Sequence, residues 1–213
     1  MRILFIGNSF TSRNDLLGML SRLAEEAKPS QAMETAAVVA GGASLRRHWN
    51  GGTALRLLNE AHWDYVVLQE QSTLPIKNVR RFHENVRLFI PEIKEHNAQP
   101  ILYLTWSRRD KPESQSILND AVEAVAADTG ASVARVGPAW HEAMRELPAV
   151  DLYASDGAHP TPAGSYLAAS VFFNVIFGRP PDSGRNSAEV GLSAAEADVI
   201  HRIAGGRTRA GTG

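Results

Sequence analysis

The sequence predicts an α/β domain in which a parallel sheet is covered by helices on both faces. Short runs rich in Val, Ile and Leu recur along the chain, and longer segments with apolar residues at helical spacing separate them. Parallel strands buried on both faces read as continuous apolar runs, and their crossover connections are usually helices. The length of 213 residues, 44% of them hydrophobic, suits one domain with a sizeable core.

Five strands are predicted from the short apolar runs. They are Arg2–Ile6, Thr35–Val39, Tyr65–Leu68, Pro100–Leu104 and Ser132–Val136. Four helices are predicted between them from the spacing of their apolar residues. They are Asp15–Lys28, Thr53–His62, Val79–Asn97 and Ser114–Thr129. Strands and helices therefore alternate, as βαβ units require.

After the fifth strand the pattern changes. We expect a helix at Pro138–Leu147, a polar loop at Asp151–Pro160 and a strongly apolar helix at Pro162–Phe177, followed by a connector and a last helix at Ser193–Ala204. Thr161 before Pro162 is typical of a helix start, because proline in the first turn loses no hydrogen bond. Residues 1–205 are predicted to form the domain, and residues 206–213 a flexible tail.

Composition limits the classes of partner and cofactor. Lys plus Arg total 22 against 23 Asp plus Glu, so no basic stripe indicates nucleic acid or a membrane surface, and a small-molecule partner is expected. The chain has no cysteine, which excludes disulfides and thiolate zinc sites. The histidines outside the late polar loop share no ligand spacing, so we expect neither metal nor cofactor. The oligomeric state stays open.

Location is inferred from the apolar runs. The run Ile3–Ile6 is too short for the core of a signal peptide and leads directly into a Gly-Asn-Ser turn. No other run approaches the roughly 20 apolar residues of a membrane span. We therefore expect a soluble, cytoplasmic protein.

Polar and glycine residues cluster where the predicted strands end. GNSFTS follows the first strand, AGGAS the second, QEQS the third and TWSRRD the fourth, while DGAHP lies in the late polar loop. Open parallel sheets bind ligands beyond the carboxyl ends of their strands. The chemistry of this chain is therefore expected in these segments.

Ser9 is the candidate nucleophile. A serine directly after a buried strand, in a turn that opens toward a helix, presents its hydroxyl at the exposed end of the strand. The alternative is a serine that only caps a turn, which is common in loops of this kind.

Asp156 and His159 are the candidate acid and base. They lie three residues apart, close enough for the carboxylate to accept the imidazole Nδ1–H, which leaves Nε2 free to take a proton from a hydroxyl. The alternative is a polar loop with a histidine at a helix entry.

Two further pairs are candidate oxyanion donors. Gly41 and Gly42 follow the second strand, where glycine lets a backbone N–H approach a ligand. Gln69 and Gln71 follow the third strand and carry side-chain amides. A plain turn and a structural hydrogen bond are the respective alternatives.

Several residues near the same strand ends are left without a role. Trp106 and Arg108 follow the fourth strand, where they either form part of a pocket wall or are an exposed aromatic and a solvated arginine. Whether Arg46, Arg47 and Arg108 recognise an anionic substrate stays open.

Four segments, GNSF, GGAS, LQEQS and DGAHPTPAG, resemble in this order the sequence blocks of the SGNH (GDSL-type) hydrolases. The resemblance runs from Met1 to about Ala169. It implies a flavodoxin-like three-layer α/β/α fold with strand order 2-1-3-4-5. It also implies a serine nucleophile in the first block, a glycine N–H and an amide side chain in the oxyanion hole, and Asp-x-x-His in the last block.

Carried over by position, the resemblance implies Ser9 as nucleophile, Asp156 and His159 as acid and base, and Gly42 with Gln71 in the oxyanion hole. Gly41 is the near alternative to Gly42. Two departures stand out, because Asn8 replaces a common aspartate and the third block reads Gln-Glu-Gln where Gly-x-Asn is usual. The asparagine position is therefore filled by a side chain one methylene longer.

The predicted reaction is hydrolysis of an ester through an acyl-enzyme, with short-chain acyl groups such as those of acetylated carbohydrates as substrates. The alternative is a flavodoxin-like module that binds a small ligand or phosphate at the loop Asn8–Ser12 without catalysis. That loop lacks the glycines of a phosphate cradle, and the alternative leaves Asp156 and His159 without a role.

Overall fold

The computed structural model of the chain describes residues 1–182 and 185–206. Of the predicted tail, only Gly206 falls within these residues, and 207–213 lie outside them. None of the helices in the described part of the chain combines the length and apolar character needed to cross a membrane.

Five parallel strands form one sheet in the order β2-β1-β3-β4-β5. They are β1 (Arg2–Gly7), β2 (Glu34–Val39), β3 (Tyr65–Leu68), β4 (Gln99–Leu104) and β5 (Ser132–Arg135). The predicted α/β fold with strand order 2-1-3-4-5 is confirmed, and each predicted strand end lies within one residue of the observed one. Buried parallel strands are easy to recognise in a sequence, because both of their faces must be apolar and they therefore form continuous apolar runs.

Ten α-helices connect and cover the strands in the described residues. They are α1 (Ser9–Ser12), α2 (Leu16–Glu26), α3 (Leu45–Gly51), α4 (Thr53–Glu60), α5 (Leu74–Lys77), α6 (Val79–Glu95), α7 (Ser114–Thr129), α8 (Val136–Glu146), α9 (Pro162–Phe177) and α10 (Ala194–Ala204). Two 3₁₀ segments, at Arg13–Asp15 and Arg185–Val190, complete the list of helical elements.

Three of these helices, α1, α3 and α5, were absent from the sequence-based prediction. Helices α1 and α5 each have only four residues, too few to show a helical period. Helix α3 is seven residues long, begins at an N-cap in which the Ser44 hydroxyl accepts the Arg47 N–H, and ends at Gly52 in the left-handed region. Its two caps explain why so short a segment is helical.

Side chains of each strand alternate between the two faces of the sheet, so β1 contributes to two cores. Ile3 and Phe5 pack on one face with helices α2, α8, α9 and α10. Leu4 and Ile6 pack on the other face with helices α3, α4, α6 and α7. The chain is thus a three-layer α/β/α sandwich.

The segment between α8 and α9 is anchored to α9 by a close contact at Gly164. The Thr161 N–H donates to the Leu152 carbonyl at 2.9 Å, and the Thr161 hydroxyl caps α9 by accepting the Gly164 N–H. A Cβ added at Gly164 would lie 2.5 Å from the Leu152 carbonyl oxygen and 2.5 Å from Trp140. The segment can approach α9 this closely only because residue 164 has no side chain.

We therefore expect Gly164→Ala to lower the free energy of unfolding by about 1–3 kcal/mol, as overpacking usually does. The matched control is Gly51→Ala in α3, where no described heavy atom outside the neighbouring backbone of the helix lies within 4 Å of the added Cβ. The control should leave stability unchanged or raise it by up to about 1 kcal/mol. Urea unfolding followed by far-UV circular dichroism measures both, and equal effects of the two substitutions would contradict the contact.

Candidate active site

Ser9 and His159 meet at the carboxyl end of β1, although they are 150 residues apart in the chain. The distance between Ser9 Oγ and His159 Nε2 is 2.8 Å, within hydrogen-bond range. Both side chains are partly exposed, so an incoming molecule can reach them. This pairing is the arrangement in which an imidazole can accept a hydroxyl proton.

Asp156 holds the other side of the imidazole. Its Oδ2 is hydrogen-bonded to His159 Nδ1, and its Oδ1 accepts the backbone N–H groups of His159 at 2.9 Å and Ala158 at 3.0 Å. The bond to the His159 side chain and then these backbone bonds hold the pKa of the Asp156 carboxyl well below its usual range. The carboxylate therefore stays ionised at any ordinary pH.

The loop that carries Asp156 and His159 makes a tight turn at Gly157. That residue adopts a φ of 64°, in the left-handed region that glycine occupies at little cost. The Gly157 N–H donates to the Ala154 carbonyl, and the Gly157 carbonyl accepts the Arg109 N–H at 2.9 Å. The turn brings the Asp156 carboxylate over the N–H groups of Ala158 and His159, so the Asp156–His159 pair fits into four residues.

Asn8 directly follows β1 and fixes the start of helix α1, whose first residue is Ser9. It has extended dihedrals and caps α1, because its Oδ1 accepts the Phe10 N–H at 3.2 Å. Ser9 is consequently the first residue of the helix, where a backbone N–H has no partner within the helix. In the described structure the Ser9 N–H has no hydrogen-bond acceptor.

Three potential oxyanion donors line one cavity with Ser9 and His159. The cavity measures about 170 Å³, and its lining includes Gly42 and Gln71 but not Gly41. Among the described residues, the N–H groups of Ser9 and Gly42 and the Gln71 Nε2 have no acceptor. Gly42 has a φ of 62°, which favours glycine at this position.

The two candidate glutamines occupy different environments. Gln69 is fully buried, and its Oε1 accepts the Asn8 N–H at 2.8 Å and the Thr11 hydroxyl at 3.1 Å, while its Nε2 donates to the Glu70 carbonyl. Gln71 accepts the Thr73 N–H and hydroxyl through its Oε1, which leaves its Nε2 without a partner in the described structure. Gln69 is therefore a structural residue, and Gln71 keeps a donor available.

Glu70 is a buried residue that was not among the predicted site residues. Its Oε1 accepts the N–H groups of Leu45 at 3.1 Å and Gln71 at 2.7 Å, and its Oε2 accepts the Asn85 side chain at 2.8 Å. Burial raises the pKa of the Glu70 carboxyl. The carboxylate thus joins the start of α3 to the segment that carries Gln71. Asn85, a polar residue on the apolar face of α6, was the signal in the sequence that could have indicated a buried partner.

A stack of aromatic rings supports the site from one side. Phe10 lies parallel to Trp106 with ring centroids 4.9 Å apart, and Trp106 stacks on Trp140 at 3.8 Å. The Trp106 Nε1–H donates to the Ala158 carbonyl at 3.0 Å, next to His159. Trp106 is therefore a buried wall residue and not an exposed loop aromatic. Phe10 and Trp140 were not identified from the sequence.

A second, larger cavity of about 400 Å³ adjoins the first. Its lining includes Trp106 and Arg108, and Arg108 also lines the smaller cavity. Arg46 and Arg47 line neither, and the Arg46 Nε donates to the Asn85 side chain at 3.2 Å. Of the three arginines considered for substrate recognition, the structure brings only Arg108 to the candidate site.

No group of three or more His, Cys, Asp or Glu side chains in the described residues is placed to hold a metal ion. The chemistry available at Ser9 is that of a hydroxyl, an imidazole, a carboxylate and unpartnered N–H donors. Such a set fits acyl transfer.

Comparisons with known proteins give three informative structures. A protein of Slackia heliotrinireducens that is assigned as an SGNH hydrolase is 32% identical, over 83% of this chain and 98% of its own, with a TM-score of 0.68. A DUF4886 family protein from Bacteroides uniformis is 21% identical over 97% of this chain and 93% of its own, with a TM-score of 0.76. An acetylxylan esterase from Geobacillus stearothermophilus is 17% identical over 82% of this chain and 93% of its own, with a TM-score of 0.67.

No protein-family model and no curated protein sequence matches the chain. The last two structures are too distant in sequence to indicate more than a shared fold. The first is similar in sequence as well as in fold, over nearly its whole length.

Proposed function

Because the chain belongs to the SGNH hydrolase family, we propose that it is a serine ester hydrolase in which Ser9 is the nucleophile, His159 the base and Asp156 the residue that orients the base. The observation that carries the proposal is the 2.8 Å contact between Ser9 Oγ and His159 Nε2, with the Asp156 carboxylate bound to the opposite ring nitrogen. The alignment of these three side chains is the one that serine hydrolysis requires.

The reaction runs in two halves. His159 Nε2 takes the Ser9 proton while Ser9 Oγ attacks the ester carbonyl carbon, and the resulting tetrahedral intermediate collapses when the alcohol leaves with that proton. Water then attacks the acyl-enzyme, gives a proton to His159 and releases the acid, and the proton returns to Ser9. Ionised Asp156 stabilises the imidazolium formed in each half. No cofactor takes part in this scheme.

The N–H groups of Ser9 and Gly42 and the Gln71 amide are proposed to hold the negative oxygen of both tetrahedral intermediates. Their support is that all three lack an acceptor in the described structure and belong to residues that line the Ser9 cavity. Donors that are fixed before the reaction need no reorganisation when the charge develops, which is why such sites accelerate acyl transfer.

The substrate class proposed is small-molecule esters with short acyl groups, such as acetylated carbohydrates. The cavity around Ser9, about 170 Å³, has room for a short acyl group. The acetylxylan esterase with the same fold is a further, weaker support, since its sequence identity is only 17%.

Replacement of the nucleophile tests the proposal directly. Ser9→Ala should lower kcat on an activated acetyl ester by a factor on the order of 10⁴ to 10⁶, because serine and base act as one unit. Ser12→Ala is the matched control, since Ser12 is an exposed serine of the same short helix. A fluorophosphonate probe should label the wild type and Ser12→Ala but not Ser9→Ala. Absence of labelling in folded wild-type protein would instead favour the phosphate- or ligand-binding module.

The pH dependence follows from the ionisation of Asp156. Because the pKa of this carboxyl is held far below its ordinary value of 3.8, it stays ionised throughout the working range and contributes no proton to the acidic limb. We expect the logarithm of kcat/KM to rise with pH with a limiting slope of one on the acidic side, because catalysis requires one neutral imidazole. Asp156→Asn should lower kcat/KM and change how kcat/KM rises with pH on the acidic side. A slope of two, measured in steady-state kinetics, would show that a second group titrates.

The two glutamines should separate by their effects on catalysis and on stability. Gln71→Ala should lower kcat by about 10² to 10³ with little change in KM, because the amide bond to the oxyanion strengthens in the transition state. Gln71→Asn, one methylene shorter, should retain partial activity. Gln69→Ala should affect kcat of the folded protein less, yet cost about 1–3 kcal/mol in urea unfolding, because it leaves buried donors unpaired. The reverse order of kcat effects would assign the donor role to Gln69.

A further inference from the structure

The large cavity beside the active site continues the small one around Ser9. Five residues, Phe10, Gln71, Ser72, Arg108 and Ala158, line both. A molecule whose ester group lies at Ser9 therefore extends naturally into the cavity of about 400 Å³. The residues found only in this larger space can recognise the part of the substrate that does not react.

Three cations stand at the rim of this cavity without a counter-ion. Lys77, Arg108 and Lys111 are exposed, and within the described part of the chain none of them forms an ion pair or a side-chain hydrogen bond. Asp110 is the single carboxylate in the lining. The cavity rim therefore carries an excess of positive charge, although the whole chain has a formal net charge of −1.

Most of the other arginines in the described residues are ion-paired, although Arg13, Arg46, Arg47 and Arg81 form no ion pair there. Ten arginines outside this lining form ion pairs with Asp or Glu in the described residues. Arg109, the neighbour of Arg108, is one of them and is bound to Asp151. The two neighbours therefore differ: Asp151 neutralises Arg109, while Arg108 lines the cavity with no carboxylate partner among the described residues.

The walls of the cavity increase the effect of these charges. Trp106, Ile76 and Leu118 provide apolar surface beneath the rim, and a cleft with low-dielectric walls focuses the field of the charges that line it. The guanidinium of an arginine presents paired N–H donors that match the two oxygens of a carboxylate. An anionic group carried by the substrate would find both a complementary field and complementary donors.

We propose that the substrate is an ester bearing a carboxylate, which is bound at the rim of this cavity by Arg108 with Lys77 and Lys111. The proposal rests on the proposed esterase function and narrows its substrate class. The carboxylate can belong to the acyl part or to the alcohol part of the ester, and both place an anion beyond the scissile carbonyl.

Two pairs of esters distinguish a carboxylate in the acyl part from one in the alcohol part. Mono-4-nitrophenyl adipate, with the corresponding adipamate, tests a carboxylate in the acyl part, and 4-acetoxybenzoate, with 4-acetoxybenzamide, tests one in the alcohol part. Within each pair an uncharged amide replaces the carboxylate. In at least one pair, kcat/KM for the anion should exceed that for the amide about tenfold at low ionic strength, and the ratio should fall as salt screens the charges.

Arg108→Gln should lower this ratio about tenfold, and Arg108→Lys, which keeps the charge but loses the paired donors, should lower it less. The matched control is Arg80→Gln, which removes an exposed cation of α6 that lines neither cavity and should leave the ratio unchanged. Binding of the same esters to Ser9→Ala, measured by titration calorimetry, reads the subsite without turnover. There too the anion should bind more tightly than the amide, and Arg108→Gln should remove the difference.

Hydrolysis of the neutral esters with no preference for either anion, and no effect of Arg108→Gln on the ratio, would overturn this inference while the esterase function stands. Failure to hydrolyse any ester, together with absence of fluorophosphonate labelling, would overturn the proposed function. In that event a preference for the anion in the calorimetric binding would still support the charged subsite, and equal binding of anion and amide would reject it.

Discussion

The geometry of the site depends on a buried polar network beneath the ends of β1 and β3. Asn8, Gln69 and Glu70 have side chains that are 3%, 0% and 6% exposed, so each of their polar atoms needs a partner within the protein. Asn8 donates to the Ala43 carbonyl at 3.0 Å, while Gln69 accepts the Asn8 N–H. An unmade bond of this kind costs about 1–3 kcal/mol, so the loops after three strands are held in one arrangement.

His159 is held beside Ser9 by a further set of contacts. The Asn14 side chain donates to the Pro160 carbonyl at 2.9 Å and to the Ser165 hydroxyl at 3.0 Å, which joins the segment after α1 to the loop that carries His159. On the other side Phe10 meets the His159 ring edge to face at 5.4 Å. Ser9 and His159 are therefore positioned by separate segments of the chain, which the contacts of Asn14 and Phe10 hold against each other. The distance between Ser9 Oγ and His159 Nε2 depends on both sets of contacts.

The difference between what the sequence predicted and what it left open follows from the range of the interactions. The strands were predictable because burial on both faces leaves a local apolar signature, and the Asp156–His159 pair because its hydrogen bonds close within four residues. The distinct roles of Gln69 and Gln71 were not predictable. Both are glutamines after the same strand, and the Gln69 oxygen is occupied by Asn8 and Thr11, which lie 61 and 58 residues away in the chain.

The hydrogen bonds around Glu70 exclude its isosteric amide, glutamine, at this position. Asn85 Oδ1 accepts the Arg46 Nε, so its Nδ2 must face Glu70 and requires an acceptor there. Glu70 Oε1 already accepts the Leu45 and Gln71 N–H groups, so both oxygens of residue 70 must accept, which a glutamine with its single acceptor oxygen cannot do.

That requirement has an energetic cost, because burial raises the pKa of Glu70 above its ordinary value of 4.5. The native state then holds the proton more tightly than the unfolded chain does, so the contribution of this group to stability falls as the pH rises above 4.5. What the Glu70 carboxyl group provides is a pair of oxygens that accept the Leu45 and Gln71 N–H groups and the Asn85 amide, which fixes the Gln71 backbone beside the cavity. Specific placement of the segment that carries Gln71, and not greater stability, is therefore the physical reason for a carboxylate at this position.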